Sequence, residues 1–276
     1  MSRVRHHGAY RVRVRYGHVV ALDDVTLAVP AGAVTAVVGG DGAGKSTLLS
    51  ALAGTVPLAD GTVVVPDRRR VGVMPARGGT WAELTVDEHV DFVGAVHGLR
   101  GAELDRRRDR LLAATGLREA RHRLASALSG GMRQKLAFGL ATLHDPALVV
   151  LDEPSTGVDP ASRVDLWRLV AKAASAGAAV VLATTYLDEA ERAAFVLVLH
   201  EGRELLSGPP DEIVQRAPGH VRRVAAGAQP PARTWRRGRE LRAWFPDDAQ
   251  PVGEPVRLDL EDAVVAAALA REATRA

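Results

Sequence analysis

Lysine is scarce in this chain. Of 36 lysines and arginines in 276 residues, only Lys45, Lys135 and Lys172 are lysines. Lys45 ends the run Gly39-Gly40-Asp41-Gly42-Ala43-Gly44-Lys45 and is followed by Ser46 and Thr47. Glycines so spaced let backbone N–H groups curl around an anion, and the lysine adds a fixed positive charge. The run fits G-x-x-x-x-G-K-[ST], the phosphate loop. The spacing predicts that Gly39 to Thr47 cradle the phosphates of a nucleotide. Lys45 would face the β- and γ-phosphates and Ser46 would ligate magnesium.

A second group stands at Leu148-Val149-Val150-Leu151-Asp152-Glu153. Four apolar residues read as a buried strand whose end presents two carboxylates. Asp152 can hold Mg2+ through water, and Glu153 can polarise an attacking water as general base. Apolar strands often end in acids, so the pattern gains meaning only beside the phosphate loop. A third group is Leu128-Ser129-Gly130-Gly131-Met132-Arg133-Gln134. Ser129 reads as a helix N-cap, and the two glycines bare backbone amides at a second helix N-terminus. One nucleotide cannot readily use both anion sites of one chain. The arrangement suggests two chains with two nucleotides between them.

These groups need elements to hold them. Valine- and alanine-rich runs predict strands from 10 to 38, at 63–65, 70–74, 148–151 and 179–183, and a hairpin over 196–206 turning at Glu201-Gly202. Helical patterns are predicted over 45–53, across 85–123, from Ser129 to about Leu143, and over 162–176. Strands alternating with helices imply an α/β fold with a mainly parallel core sheet. After Pro209 the periodicity weakens, which places a boundary near 217. The predicted organisation is a main domain over 1–216 and a small extension over 217–276, strand-rich and ending in a helix from Leu260 to Glu272.

Composition narrows the class. Hydrophobic residues make up 47% and charged residues 25%, which excludes a disordered or collagen-like chain. The absence of cysteine excludes disulfides and thiolate chemistry and fits a reducing compartment. No apolar run of about 18 residues free of Pro, Gly and polar interruptions occurs, so neither secretion nor a membrane span is expected. The net charge is +3, with Arg3, Arg5, Arg11, Arg13 and Arg15 near the N-terminus. Alternation with Val12 and Val14 predicts a solvated strand face rather than a nucleic-acid patch. The arginines between 106 and 123 are likewise expected on the wet face of helices, and no nucleic-acid partner is expected.

Taken in order, the phosphate loop, LSGGMRQ, LVVLDEP and Ser155-Thr156-Gly157-Val158-Asp159-Pro160 resemble the ATP-binding subunit of ABC transporters over residues 10–216. The resemblance implies a P-loop ATPase fold with an antiparallel β subdomain and a helical subdomain at about 77–145. It implies ATP and Mg2+ as ligands and hydrolysis coupled to transport. It also implies that Tyr16 stacks on adenine, that Ser129, Gly130 and Gly131 serve the nucleotide of a partner chain, and that Asp159 touches that partner. Leu260-Glu261-Asp262 resembles the C-terminal signature of subunits serving ABC-2-type membrane permeases. The implied place is cytoplasmic, peripheral on the inner face of the membrane, with a second ATP-binding subunit as partner.

Two positions depart from the family pattern. Ala76 follows Met74-Pro75 where the family has glutamine, and Thr185 stands where it has the switch histidine. Threonine cannot carry imidazolium charge near pH 7. Both losses imply a degenerate site that binds ATP well and hydrolyses it poorly, and so favour a heterodimer over a homodimer. The other reading is a non-transport ABC ATPase acting on ribosomes or DNA. It lacks the long coiled-coil insertion or the second ATPase domain expected on such chains.

Overall fold

The valine runs do fold as strands. In the computed structural model, which describes residues 6–77, 79–225 and 233–275, the chain opens with β1 (His7–Tyr16), β2 (Val19–Val29) and β3 (Val34–Val38). Then come α1 (Lys45–Leu52), β4 (Asp60–Val64), β5 (Val71–Met74), α2 (Val86–Val96), α3 (Gly101–Thr115) and α4 (Gly130–Thr142). Next are β6 (Leu148–Asp152), α5 (Pro160–Ser175), β7 (Ala179–Thr184), the single turn α6 (Leu187–Ala190), and the hairpin β8 (Phe195–His200) and β9 (Arg203–Gly208). After α7 (Pro210–Gln215), the chain ends with β10 (His220–Val224), β11 (Thr234–Arg237), β12 (Glu240–Phe245), β13 (Glu254–Pro255) and α8 (Leu260–Arg275).

Six strands form the central sheet in the order β5-β6-β7-β3-β8-β9. All neighbours are parallel except β8 and β9. Every residue of β3 and β7 is buried, as strands covered on both faces require. Alternate residues sort by face. Ala36, Val38, Val180 and Leu182 pack with Phe138 of α4 and Leu166 and Val170 of α5. Val37, Val181 and Ala183 pack instead with Leu48 and Leu52 of α1 and with Val12 and Leu27 of the antiparallel sheet β2-β1-β4. A separate apolar cluster, including Val90, Leu112 and Leu136, unites α2, α3 and α4 as the helical region.

The C-terminal strands form the sheet β11-β12-β10-β13. Helix α8 joins this sheet to the main body. Its Leu260 and Ala263 belong to the core of the six-stranded sheet, while Ala266 packs with Val221 and Trp244. Asp262 is fully buried and pairs with Arg242 and Arg237, and the Leu260 N–H donates to Glu191. We propose the division at 217, between α7 and β10, as one of topology rather than of independent stability.

Several expectations need adjustment. β1 begins at His7, ahead of the predicted start at 10. Val12 and Val14 are buried and Arg11, Arg13 and Arg15 exposed, as the alternation predicts. Arg11 pairs with Asp24 and Arg13 with Asp23, so two of the three arginines on this face are paired within the protein; Arg3 and Arg5 lie outside the described residues. Arg107 and Arg108 are not on a wet face, being only 16% exposed. Arg107 bridges Glu103, Asp145 and the Leu143 carbonyl, and Arg108 bridges Asp91, Asp105 and Asp87. Helix α5 starts at Pro160 rather than Ser162, because Asp159 caps it by accepting from the Ser162 N–H and proline suits the first turn.

One pH effect follows from packing. The His144 ring stacks on His97 with centroids 3.7 Å apart. Burial, then the neighbouring His97, lowers its pKa from 6.5 to about 4. Between those values the unfolded chain binds a proton that the folded chain refuses, so stability falls as pH falls through this window. Urea midpoints should therefore drop more for the wild type than for His144→Phe when pH is lowered from roughly 7 to 5. Parallel curves for the two proteins would refute it.

Candidate functional site

The carboxyl ends of the parallel strands collect the predicted residues. The loop Gly39 to Gly44 leaves β3, Asp152 ends β6 with Glu153 next, Ala76 follows β5, and Thr185 follows β7. In open α/β sheets this edge is where ligands bind.

The loop's shape demands its glycines. Gly39 has φ 155°, and a Cβ there would stand 2.4 Å from the Leu199 carbonyl oxygen. Gly44 has φ 102°, and a Cβ would meet Leu22 at 2.7 Å and the Ala21 oxygen at 2.8 Å. Gly40 and Gly42 face open space, so their backbone stays bare to a ligand. Gly44 caps α1 with no side-chain acceptor, and no acid occupies the first turn. The first amides of α1 are thus left for an anion.

Lys45 is buried, 6% exposed. Its ammonium donates to the carbonyls of Gly39 (2.8 Å) and Gly40 (3.2 Å) and lies 3.8 Å from a Glu153 oxygen. Ser46 donates to Asp152 at 3.2 Å, joining the loop to β6. Burial raises the pKa of Asp152, and the Ser46 hydrogen bond opposes that rise. Such a carboxylate gains from a nearby cation, so the pair Ser46 and Asp152 fits a divalent metal with oxygen ligands. Glu153 sits at φ 48°, held by its N–H donating to Ala183 O at 3.0 Å. Its other carboxylate oxygen accepts from the Thr156 hydroxyl at 2.9 Å.

The remaining predicted residues form other groups. Tyr16, at the end of β1, is 51% exposed and available to stack. Ser129 caps α4 by accepting from Met132 N–H. Gly131 packs so closely on α5 that a Cβ would lie 2.4 Å from Ser162 Oγ and 3.4 Å from Asp159. Ser129, Gly130, Gly131 and Asp159 therefore stand together. No hydrogen bond or ion pair among the described residues links them to Lys45, Ser46, Asp152 or Glu153.

Sequence reading missed the residues that hold Thr185. Thr184, just before it, is buried; its hydroxyl donates to Glu189 at 2.8 Å and accepts from Tyr186 N–H at 3.0 Å. Glu189, 2% exposed, also accepts from Arg163, which reaches Asp188 and lies over the Tyr186 ring at 4.1 Å. This knot ties the segment after β7 to α5 and leaves Thr185 exposed. A paired Thr-Thr before Asp-Glu was the available signal. Thr156, three residues after Glu153, was missed likewise.

A loop shaped for phosphates, an acid pair one strand away and a second exposed helix start define a nucleotide-binding cassette. Residues 22–156 match the family described as ABC transporter. The chain is 38% identical over 201 residues, 69% of its length, to the probable multidrug ABC transporter ATP-binding protein YbhF of Escherichia coli (strain K12), and spans 35% of that protein. It is 34% identical to the Nod factor export ATP-binding protein I of Cupriavidus metallidurans, covering 74% of this chain and 71% of that one. A solved structure, an ATP binding subunit of an ABC transporter, superposes with TM-score 0.69 at 29% identity, covering 76% of this chain and 92% of its own. This chain belongs to the family of ABC transporter ATP-binding proteins. Among the described residues no helix is long and apolar enough to cross a membrane.

The position of Tyr16 carries a modest prediction. Tyr16→Ala should weaken ATP binding by about 1–3 kcal/mol, the range for a lost base stack. Calorimetric titration giving equal affinities for the two proteins would exclude the stacking role.

Proposed function

We propose that the chain is the ATP-binding subunit of an exporter-type ABC transporter that works with a separate ABC-2-type membrane permease at the cytoplasmic face. Lys45 and the loop from Gly39 to Thr47 hold the triphosphate, Tyr16 stacks on adenine, and Ser46 and Asp152 hold Mg2+. Bound magnesium supplies neutralisation of the β- and γ-phosphate charge. Glu153 accepts a proton from the attacking water, and Ser129, Gly130, Gly131 and Asp159 face the nucleotide of a second ATP-binding subunit. The export direction draws on the names of the relatives. An apolar patch supports a membrane partner: Trp81 and Phe92 pack edge to face at 4.9 Å, both about half exposed, with Val96 exposed on the same helix as Phe92.

The observation that carries the finer reading is the strand edge itself. Ala76 and Thr185 follow β5 and β7, either side of Asp152, which ends β6, and of Glu153 next to it. Neither side chain can place a charge or an amide beside a γ-phosphate. The Ser129 cap, by contrast, is complete. We therefore favour an asymmetric pair, in which this chain lends an intact signature to a partner whose own site turns over. The deciding experiment compares ATP hydrolysis by the purified chain with that of the chain assembled with its permease and a second ATPase. Slow turnover alone and fast turnover assembled supports the pair; equal rates overturn it. In a homodimer, Thr185→His should then raise turnover, by up to about 10²–10³-fold for one positioned charge-stabilising group.

A further inference from the structure

A cleft of about 540 Å³ opens between α3, the far half of α4, the start of β6 and α5. Its floor is apolar, with Leu111, Phe138, Val149 and Leu169 all buried. Its rim carries Arg70, Arg107, Arg110 and Lys172 against a single acid, Asp145. Arg107 is occupied by Glu103, Asp145 and the Leu143 carbonyl, and Arg110 lies 3.5 Å from Asp145. The side chains of Arg70 and Lys172 have no hydrogen-bond or ion-pair partner among the described residues. In a chain with three lysines, Lys45 belongs to the phosphate loop and Lys135 pairs with Asp165, which leaves Lys172 for this rim.

The cleft is separate from the nucleotide residues. It uses the amino end of β6, whereas Asp152 ends that strand, and it uses Phe138 to Thr142 of α4, whereas Ser129 begins that helix. Thirteen residues of α4 put about 20 Å between those ends. Its volume is that of a site for a drug-sized molecule. The apolar floor rewards an apolar body, and free cations at the mouth favour an anionic group through charge-assisted hydrogen bonds.

We propose that this cleft binds a small amphipathic anion, its apolar body on Leu111, Phe138 and Leu169 and its anionic group at Arg70 and Lys172. The probe is 8-anilinonaphthalene-1-sulfonate, titrated by fluorescence against the full chain, with the uncharged N-phenyl-1-naphthylamine as its control. Saturable binding of one sulfonate per chain is expected. Replacing Arg70 and Lys172 together by alanine should weaken it about tenfold or more, as loss of charge-assisted contacts requires, and leave the uncharged dye unchanged. Ala173→Trp, filling the cleft from α5, should abolish binding of both dyes. If that variant does not fold by circular dichroism, Ala114→Trp fills the cleft from the exposed side of α3. Trp81→Ala should leave binding intact. Absence of saturable binding overturns the proposal, as does indifference to the alanine pair or to the filled cleft, or loss of binding with Trp81→Ala.

Discussion

Lys45→Ala is expected to weaken MgATP binding by about a hundredfold or more, since two charged hydrogen bonds to the β- and γ-phosphates are worth roughly 1.5–3 kcal/mol each. The structure explains why no neighbour compensates. Lys45 is only 6% exposed, and its ammonium is the cation that faces Glu153 at 3.8 Å. Without it, Glu153 meets the incoming triphosphate with one cation fewer between like charges. In the wild type, the same ammonium holds the Gly39 and Gly40 carbonyls, so ATP must exchange those contacts for phosphate oxygens. Calorimetric titration, with thermal melts to confirm folding, reads the effect. Equal affinity for wild type and variant would remove the phosphate-loop reading altogether.

Glu153→Gln is expected to keep ATP binding and to lower turnover at this chain's own site by about 10²–10⁴-fold, the usual contribution of a general base. Glutamine preserves the length of the side chain and can still engage the Thr156 hydroxyl, but it cannot take a proton from water. For the proposed asymmetric pair, the assay uses the assembled complex with the second subunit's own site inactivated, so that only this site is counted. A second readout is ATP-dependent association followed by light scattering. The variant should remain associated longer, because removing hydrolysis removes the step that reopens the pair. Unchanged turnover together with unchanged association would exclude Glu153 as the base.

Much of this architecture was legible in local pattern. The phosphate loop announces itself because its backbone needs φ values that only glycine reaches easily, and Gly39 and Gly44 have them. The strands β3, β6 and β7 were legible because central parallel strands are buried on both faces and so read as unbroken apolar runs. Ser129 was legible as a helix N-cap, and it accepts from Met132 N–H. For Asp159 the structure adds the cap, which accepts from Ser162 N–H.

The sequence alone determined which residue types could meet a triphosphate and on which elements they ride: Lys45 and Ser46 on α1, and Asp152 and Glu153 at the end of β6. Those are matters of local backbone geometry and apolar period, which neighbouring residues impose. Tertiary structure alone decided what lies beside what. It brought Ser46 within 3.2 Å of Asp152, 106 residues away, and locked the segment around Thr185 through Glu189 and Arg163. It drew Arg107 and Arg108 off the wet face into ion pairs, and it left Arg70 and Lys172 unpaired above an apolar cleft. Partners in space are chosen by how the two faces of the sheet are covered, and a linear pattern of hydrophobic and charged residues carries no record of that choice.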